Sequence, residues 1–561
     1  MLIVGIGSVN AAQIRVPADV SSLQAAIDVA QSGDEIVIAP GVYPDPVLVV
    51  GKSLTLRSST GDPADVVLRA ADGGTVLRVD NAPSLRLDGL TLRDGTGSTG
   101  AICGSGGLTV FGGAIIATNS GLVIDRCMIT NNTAEIGGAL FLVGGSVTIR
   151  NTTLSMNGVV SPPGGTASVG SVLRTCGSPS TTILIEDSIV RDNGDASGAL
   201  AVITPLTSPT TVRRTRFENN SGGVIQPSGT TDLLVEESLF LMNTGIRPAI
   251  STALSGPDAL LRVRRSMFVG NPGDVFASMP EGESSVEITD SRFINSTDQS
   301  VFYFQQPGSS AIINRCEFRG GSSILLSVVA DSGQTLVANS LFVGAGADAV
   351  LIANPSNPGV TIVENCTIAD NAGLGLRSDV LLTGTLSVRN SILARNAGGQ
   401  IGRPLIPFGQ TLEVRSSLVQ GGFAGGVGVI DLDPAFVGDV NGDYRLRPES
   451  PAIDAGNNAL ITPIAGAGPA LDLDLLPRRV DAANPDTGVG PAPIVDLGAF
   501  EFQAAPVCAA DFDASDTLTV DDIFVFLNAW FADAPDADFD ASGTRTVDDI
   551  FVFLNAWFAG C

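Results

Sequence analysis

The chain has 561 residues, with 31 Lys plus Arg against 58 Asp plus Glu, a net charge of −27 and no histidine. The charge argues against nucleic acid or an anionic membrane as partner, and the lack of histidine, with Lys52 the single lysine, removes imidazole bases, His-ligated zinc and Schiff-base lysines. Charged residues make up only 16% and Gly numbers 66, which suits short strands and tight turns better than helical bundles.

Residues 1–12 (MLIVGIGSVNAA) join an apolar stretch to a small-residue site at Ala11 or Ala12. They read either as a truncated secretory signal without its basic start or as a buried first strand. No other stretch is long enough to span a membrane. Ser21 to Gln31 has a helical pattern that Gly33 should stop.

From about residue 120 to 420 one phrase recurs, as in IDRCMITNN, VRRTRFENN, VRRSMFVGN and VRNSILARN. Its small residue is Cys127, Thr152, Ser188, Thr215, Ser238, Ser266, Ser291, Cys316, Ser340, Cys366, Ser391 and Ser417, at spacings near 25 that stretch to 36. An aliphatic residue such as Val235 or Val263 stands three places earlier. An aromatic or aliphatic residue stands two places later, including Phe217, Phe240, Phe268, Phe293, Phe318 and Phe342. Period-two alternation marks strands with one buried face, and a fixed recurrence marks stacked repeats. A strand every 25 residues or so leaves no room for a crossover helix, so the turns must stack as parallel sheets. Each Phe then stacks on the next, and Cys127, Cys316 and Cys366 are buried thiols in one column. Five places after the small residue stand Asn132, Asn157, Asn193, Asn220, Asn243, Asn271, Asn371 and Asn396. They read as an inward structural ladder, with a ligand-binding stripe as the alternative.

This phrase, with the opening from Ile14 to Val49, resembles the right-handed parallel β-helix of pectin-lyase-like proteins. The resemblance implies about 13–15 rungs over residues 13–430, mainly β, with the N-terminal helix covering the open end. Such folds host lyases, glycosidases, esterases and non-catalytic proteins. No Asn-Thr-Asp, Gly-His-Gly or Arg-Ile-Lys cluster is present, and no Asp-Asp pair lies on the coil. The catalytic residues are therefore unassigned. Arg191, Asp192, Asp370, Arg395, Arg213, Arg214, Arg264 and Arg265 are scattered candidates that read better as solubilising charge.

Residues 431–505, through NGDYRLRPESPAIDAG and VDLGAFEF, resemble the closing segment of secreted bacterial β-helix proteins. Asp439, Asn441 and Asp443 imitate a calcium loop, but Tyr444 and Ser450 stand where its turn and last ligand belong, so a plain turn is expected. Seven cysteines cannot all pair within one chain. Cys508 and Cys561 flank the last module and are the best disulfide candidates, a free C-terminal thiol being the alternative. Whether Cys103 and Cys176 pair stays open.

In the last segment, 506–561, Ala510–Ala532 repeats as Ala537–Ala559, differing at Asp516/Gly543 and Leu518/Arg545. Each copy opens with alternate acidic residues and closes with an aromatic run, the order of a calcium loop feeding a helix. Calcium takes six to eight oxygens, and a 12-residue loop supplies them at set positions. Asp511, Asp513, Ser515, Thr517 (through its carbonyl), Thr519 and Asp522 fit one loop. Asp538, Asp540, Ser542, Thr544 (through its carbonyl), Thr546 and Asp549 fit the other. Ile523, Phe524, Leu527, Trp530 and Phe531 recur at helical spacing as Ile550, Phe551, Leu554, Trp557 and Phe558. An acidic solvated tail is the bland alternative.

The duplication resembles the dockerin module, closest to a bacterial variant ending in Gly-Cys. It implies two calcium ions and a small all-α domain, with a cohesin-like or surface protein read through Val520, Asp521, Val547 and Asp548. The chain is thus expected to be secreted or surface-attached and to bind or process extracellular polysaccharide. The alternative is a non-catalytic, adhesin-like protein whose terminal module only sorts or anchors it.

Overall fold

A computed structural model describes the chain apart from residues 1–10, 101–107, 161–169, 177–180, 195–201, 230–231, 246, 255–258, 280–283, 306–307, 331–332, 355–358, 381–383, 403–410, 439–441, 465–469, 504–509, 514–517, 533, 535–536, 540–541 and 560–561. The first helix, α1, runs Leu23–Val29, two residues shorter at each end than expected. Ser22 caps it, its Oγ accepting the Ala25 amide, and Leu23, Ala26 and Ile27 are buried. Gly33, at φ 104°, turns the chain into the coil.

The body is a parallel β-solenoid of roughly 14 turns. A representative turn has strands Leu260–Arg264, Met267–Val269 and Val275–Met279. Each pairs in parallel with its equivalent in the next turn: Ser285–Thr289, Arg292–Ile294 and Val301–Gln305. The repeat phrase occupies the first two strands, and its register aligns Phe217, Phe240, Phe268, Phe293, Phe318 and Phe342. Successive rings stack 4.6–5.0 Å apart with interplanar angles of 7–14°. All six side chains are fully buried.

The column of small residues has a hydrogen-bonding role as well as a packing one. The residue before it is left-handed in rung after rung, for example Arg126 (φ 53°), Arg214 (46°), Glu237 (51°) and Arg265 (46°). Long side chains pay strain in that region. The next hydroxyl offsets it by binding two backbone groups at the corner. Ser266 Oγ accepts the Ser238 amide at 3.2 Å and donates to the Arg264 carbonyl at 2.9 Å. Thr152 and Ser417 do the same. Cys127, Cys316 and Cys366 occupy this column as free, buried thiols, and burial pushes each up to about 12, so they are unreactive.

The Asn column is an inward ladder. The Oδ1 of each Asn accepts both the amide and the Nδ2–H of the Asn one turn earlier, at 2.9–3.2 Å, from Asn132 to Asn271. Asn371 and Asn396 repeat the pattern. The ladder breaks where Ser296 replaces Asn. There the fully buried Asp274 takes over, accepting from Asn271 Nδ2 (3.0 Å) and from Ser296 Oγ. Burial raises its carboxyl to about 7, against those two hydrogen bonds. The folded chain therefore keeps a proton that the unfolded chain releases near pH 4. This contribution to stability is complete below about pH 4 and is lost as pH rises through 7. Asp274→Asn is expected to flatten the fall in melting temperature between about pH 4 and 7; parallel profiles for variant and parent would refute the assignment.

Residues 431–505 do more than close the end of the coil. The hairpin Phe436–Gly438/Asp443–Leu446 and the segments around Ile453 and Leu497 lie along the outer face of the last turns. They form a second core with Leu341, Val343, Ala369, Ile392, Ala394 and Leu418. Those outward positions are apolar here, whereas earlier rungs carry Arg216, Glu218, Arg292 and Glu317. Arg478 pins the segment down. Buried almost completely, it donates to Asn339 Oδ1 (3.1 Å) and to the Asn365 and Gly498 carbonyls, and it pairs with the buried Glu501 at 3.5 Å.

Two further helices, α2 (Val520–Phe531) and α3 (Val547–Ala559), follow the acidic loops. Their rings Phe526 and Phe553 stack at 4.0 Å and, with Ala510 and Ala537, form a separate small core. The helical spacing is as expected, but the core residues differ. Phe524 and Phe531 (61% and 76% exposed) and their counterparts Phe551 and Phe558 face outward. At 100° per residue Phe526 falls on the stripe of Ile523, Leu527 and Trp530, and Phe524 does not.

Candidate functional site

The first acidic loop brings one carboxylate oxygen each of Asp511, Asp513 and Asp522 within 4.8 Å of one another. Asp522 is buried and does two jobs. Its Oδ2 accepts the Thr519 amide at 2.7 Å, completing a capping box with Thr519, and its Oδ1 accepts the Asp513 amide at 3.2 Å. The short Asp at the last loop position is thereby held at the N-terminus of α2, where the helix dipole favours negative charge. In the second loop Asp538 accepts the Ser542 and Gly543 amides at 3.0 and 2.8 Å, with Gly543 at φ 82°. Asp549 repeats the cap, accepting the Thr546 amide at 2.6 Å. Thr544 offers its carbonyl to Ser542 Oγ at 2.9 Å. Ser515, Thr517 and Asp540, like Cys508 and Cys561, lie outside the described residues. The donors that are described are all oxygen, a set that suits a hard cation.

The two copies are joined reciprocally. Trp530 Nε1 donates to the Thr546 carbonyl (3.1 Å), and Trp557 Nε1 donates to the Thr519 carbonyl (3.0 Å). Each tryptophan thus closes the loop of the other copy. Val520 and Val547 are exposed, as are Asp521 and Asp548 beside them. They extend the outward face of Phe524, Val525, Phe551 and Val552.

On the coil, Arg213, Arg214, Arg264 and Arg265 belong to two parallel charge ladders of alternating sign. One runs Glu186–Arg213–Glu236–Arg264 across paired strands of successive turns. The other runs along the left-handed corner, with Arg214–Asp187 at 2.7 Å, Arg265–Glu237 at 3.0 Å and Arg315–Asp290 at 2.6 Å. Opposite charges one rung apart stabilise the stack. Arg191 and Asp192 are an exposed pair at 3.8 Å. Asp370 and Arg395 meet at 3.0 Å, and Tyr444 donates to the same Asp370 carboxylate at 2.9 Å. Asp439 and Asn441 lie outside the described residues; Asp443 sits in a strand and pairs with Arg445.

A cleft of about 400 Å³ opens between the coil and the closing segment, lined by Arg292, Arg315, Glu317, Tyr444, Arg445 and Asp474 among others. Arg292 and Arg319 flank Glu317, and Arg445 holds Asp474 at 2.7 Å. Burial, followed by the Asp370 carboxylate, pushes the Tyr444 hydroxyl above its usual range, in keeping with its donating to Asp370. The cleft escaped the sequence reading because its two walls lie more than a hundred residues apart.

No family model matches the chain. Over 172 residues, 29% of the chain, it is 28% identical to the metabotropic glutamate receptor-like protein R of Dictyostelium discoideum. The chain spans about a tenth of that relative's length. Among solved structures, a double mutant of the periplasmic alginate epimerase AlgG aligns over 66% of this chain and 76% of its own, at 10% identity and TM-score 0.31. Pectate lyase Pel9A aligns over 89% and 98%, at 12% identity and TM-score 0.22. The PL6 family alginate lyase AlyGC aligns over 75% and 80%, at 10% identity and TM-score 0.25. Likeness this low carries no argument about activity. No helix among the described residues is long and apolar enough to cross a membrane.

Proposed function

We propose that the chain is an extracytoplasmic β-solenoid protein that engages an extended polysaccharide and is attached to a partner through a calcium-dependent module of dockerin type. Residues 13–430 with 431–505 form the coil unit and 506–561 the attachment module. The observation that carries the reading is the convergence of Asp511, Asp513 and Asp522 at the start of a helix whose outer face leaves Phe524 and Phe531 exposed. Acidic loops that need a cation, joined to an uncovered aromatic face, fit a docking element for a cohesin-like surface protein. Calcium would be held by Asp511, Asp513, Asp522 and by Asp538, Asp549, with Ser515, Thr517, Asp540, Ser542 and Thr544 completing the two loops. It would supply the positive charge that lets the acidic segments fold.

The near-identity of the copies makes the two helix faces interchangeable. Asp548→Arg alone is expected to leave calcium-dependent capture of the surface partner nearly intact, and Asp521→Arg with it to abolish capture. Undiminished, chelator-resistant capture by the double variant would place recognition elsewhere. For the coil, its length and the arginines of the cleft support a polysaccharide ligand. A second, non-catalytic reading is favoured by the pairing of Arg292, Arg315, Arg319 and Arg445 with carboxylates and by the Tyr444–Asp370 bond. Incubation with alginate and pectate separates the two: unsaturated or epimerised product establishes catalysis, and retention without product establishes binding alone.

A further inference from the structure

We propose that Asp454, Asp481 and Asp486 form a calcium site in the closing segment, separate from the acidic loops of the C-terminal module. Asp454 is fully buried, and neither of its carboxylate oxygens makes a hydrogen bond of ordinary geometry, although the Ala482 backbone lies near enough to favour the charged form. Its main chain, by contrast, is fully engaged. The amide donates to Asp496 Oδ1 (2.7 Å), and the carbonyl accepts the Thr487 and Gly488 amides (3.0 and 2.9 Å). The backbone stands at φ 49°, so this side chain is placed by its turn and aimed at a strap, residues 481–488, that crosses over it. From that strap the exposed Asp481 and Asp486 bring one carboxylate oxygen each within 4.8 Å of the other and of Asp454.

An orphaned buried carboxylate facing two like charges is costly as it stands. Burial, then the Asp486 carboxylate, with Asp481 adding, raise the Asp454 carboxyl to about 6, against the nearby Ala482 backbone. Three oxygens that all lie within 4.8 Å of one another can share one ion at calcium–oxygen bonds of about 2.3–2.6 Å. All three donors are oxygens, which disfavours softer transition metals, and an irregular site with an open outer side suits calcium and its waters better than magnesium's strict octahedron. The ion would staple the strap to the turn after Ile453, and so to the second core against the coil.

The test is calcium stoichiometry of the full chain by native mass spectrometry and equilibrium dialysis. Asp481→Asn with Asp486→Asn changes only exposed side chains and is expected to bind one ion fewer than the parent, with an unchanged circular dichroism spectrum. Asp511→Asn with Asp538→Asn, which disables the module's loops, is expected to keep one ion. Retention of the parent's full stoichiometry by the first variant would overturn the site, as would complete loss of calcium by the second. The site and the module fail separately: if the module binds nothing, the parent holds a single ion, and Asp481→Asn with Asp486→Asn still removes it. Equal occupancy by magnesium at the same concentration would overturn the choice of calcium.

Discussion

Truncating Phe268 to Ala is expected to destabilise the coil by about 3–5 kcal/mol, the range for aromatic truncation in a rigid core. The ring is fully buried between Phe240 at 4.6 Å and Phe293 at 5.0 Å, nearly parallel to both. Its Cα register is fixed by backbone pairing on both sides. Neighbouring turns cannot close in on the void, because the spacing between them is set by the hydrogen bonds of three sheets and by the Asn ladder at the adjoining corner. Phe268→Leu keeps most of the volume and should cost less than half as much. Chemical denaturation with both variants checks this. A loss below about 1 kcal/mol for Phe268→Ala would mean that the stack can collapse, as only a loosely held coil would allow.

Removing calcium is expected to unfold α2 and α3 together. Both tryptophans of the chain, Trp530 and Trp557, lie in these helices. Their emission therefore reports on this module alone, in the intact protein. Each indole donates to a loop carbonyl of the opposite copy, so loss of one loop frees the indole of the other copy. Without a cation the carboxylates of Asp511, Asp513 and Asp522 repel, and the small core around Phe526 and Phe553 has little apolar area with which to oppose them. Chelation should shift the tryptophan emission to the red and lower the helical signal, and calcium should restore both. Asp538→Ala should weaken one site and, through the crossed indoles, partly loosen the other. Emission that is identical with calcium and with chelator would remove the basis for a calcium module.

Much of the coil was legible because its determinants are local and repeated. Alternation around Phe268 names the buried face of a strand. Recurrence of the small residue every 25 or so names the stacking, and Asn220 and its equivalents fall in register once the repeat is aligned. Helix α1 and the two C-terminal helices were visible for the same reason. The left-handed corners were hidden, because Arg214 or Glu237 carries no mark of positive φ until the hydroxyl of the next residue is seen to secure the turn. Phe526 and Phe553 were missed for a related reason: two aromatic stripes, Phe524/Phe531 and Phe526, share each helix, and only packing against the other copy selects one.

Taken by itself, the sequence determined the repeat, the inward columns, the acidic loops and the order of the segments, since each depends on residues within one rung or one loop. Only the tertiary structure decided where the closing segment lies. The apolar Leu341, Val343 and Ile392 on an outer face gain a partner when Phe436, Tyr444 and Leu497 fold back upon them. From that contact follow the cleft beside Arg292 and the burial of Asp454, because both are made by chain segments that meet only when the coil is complete.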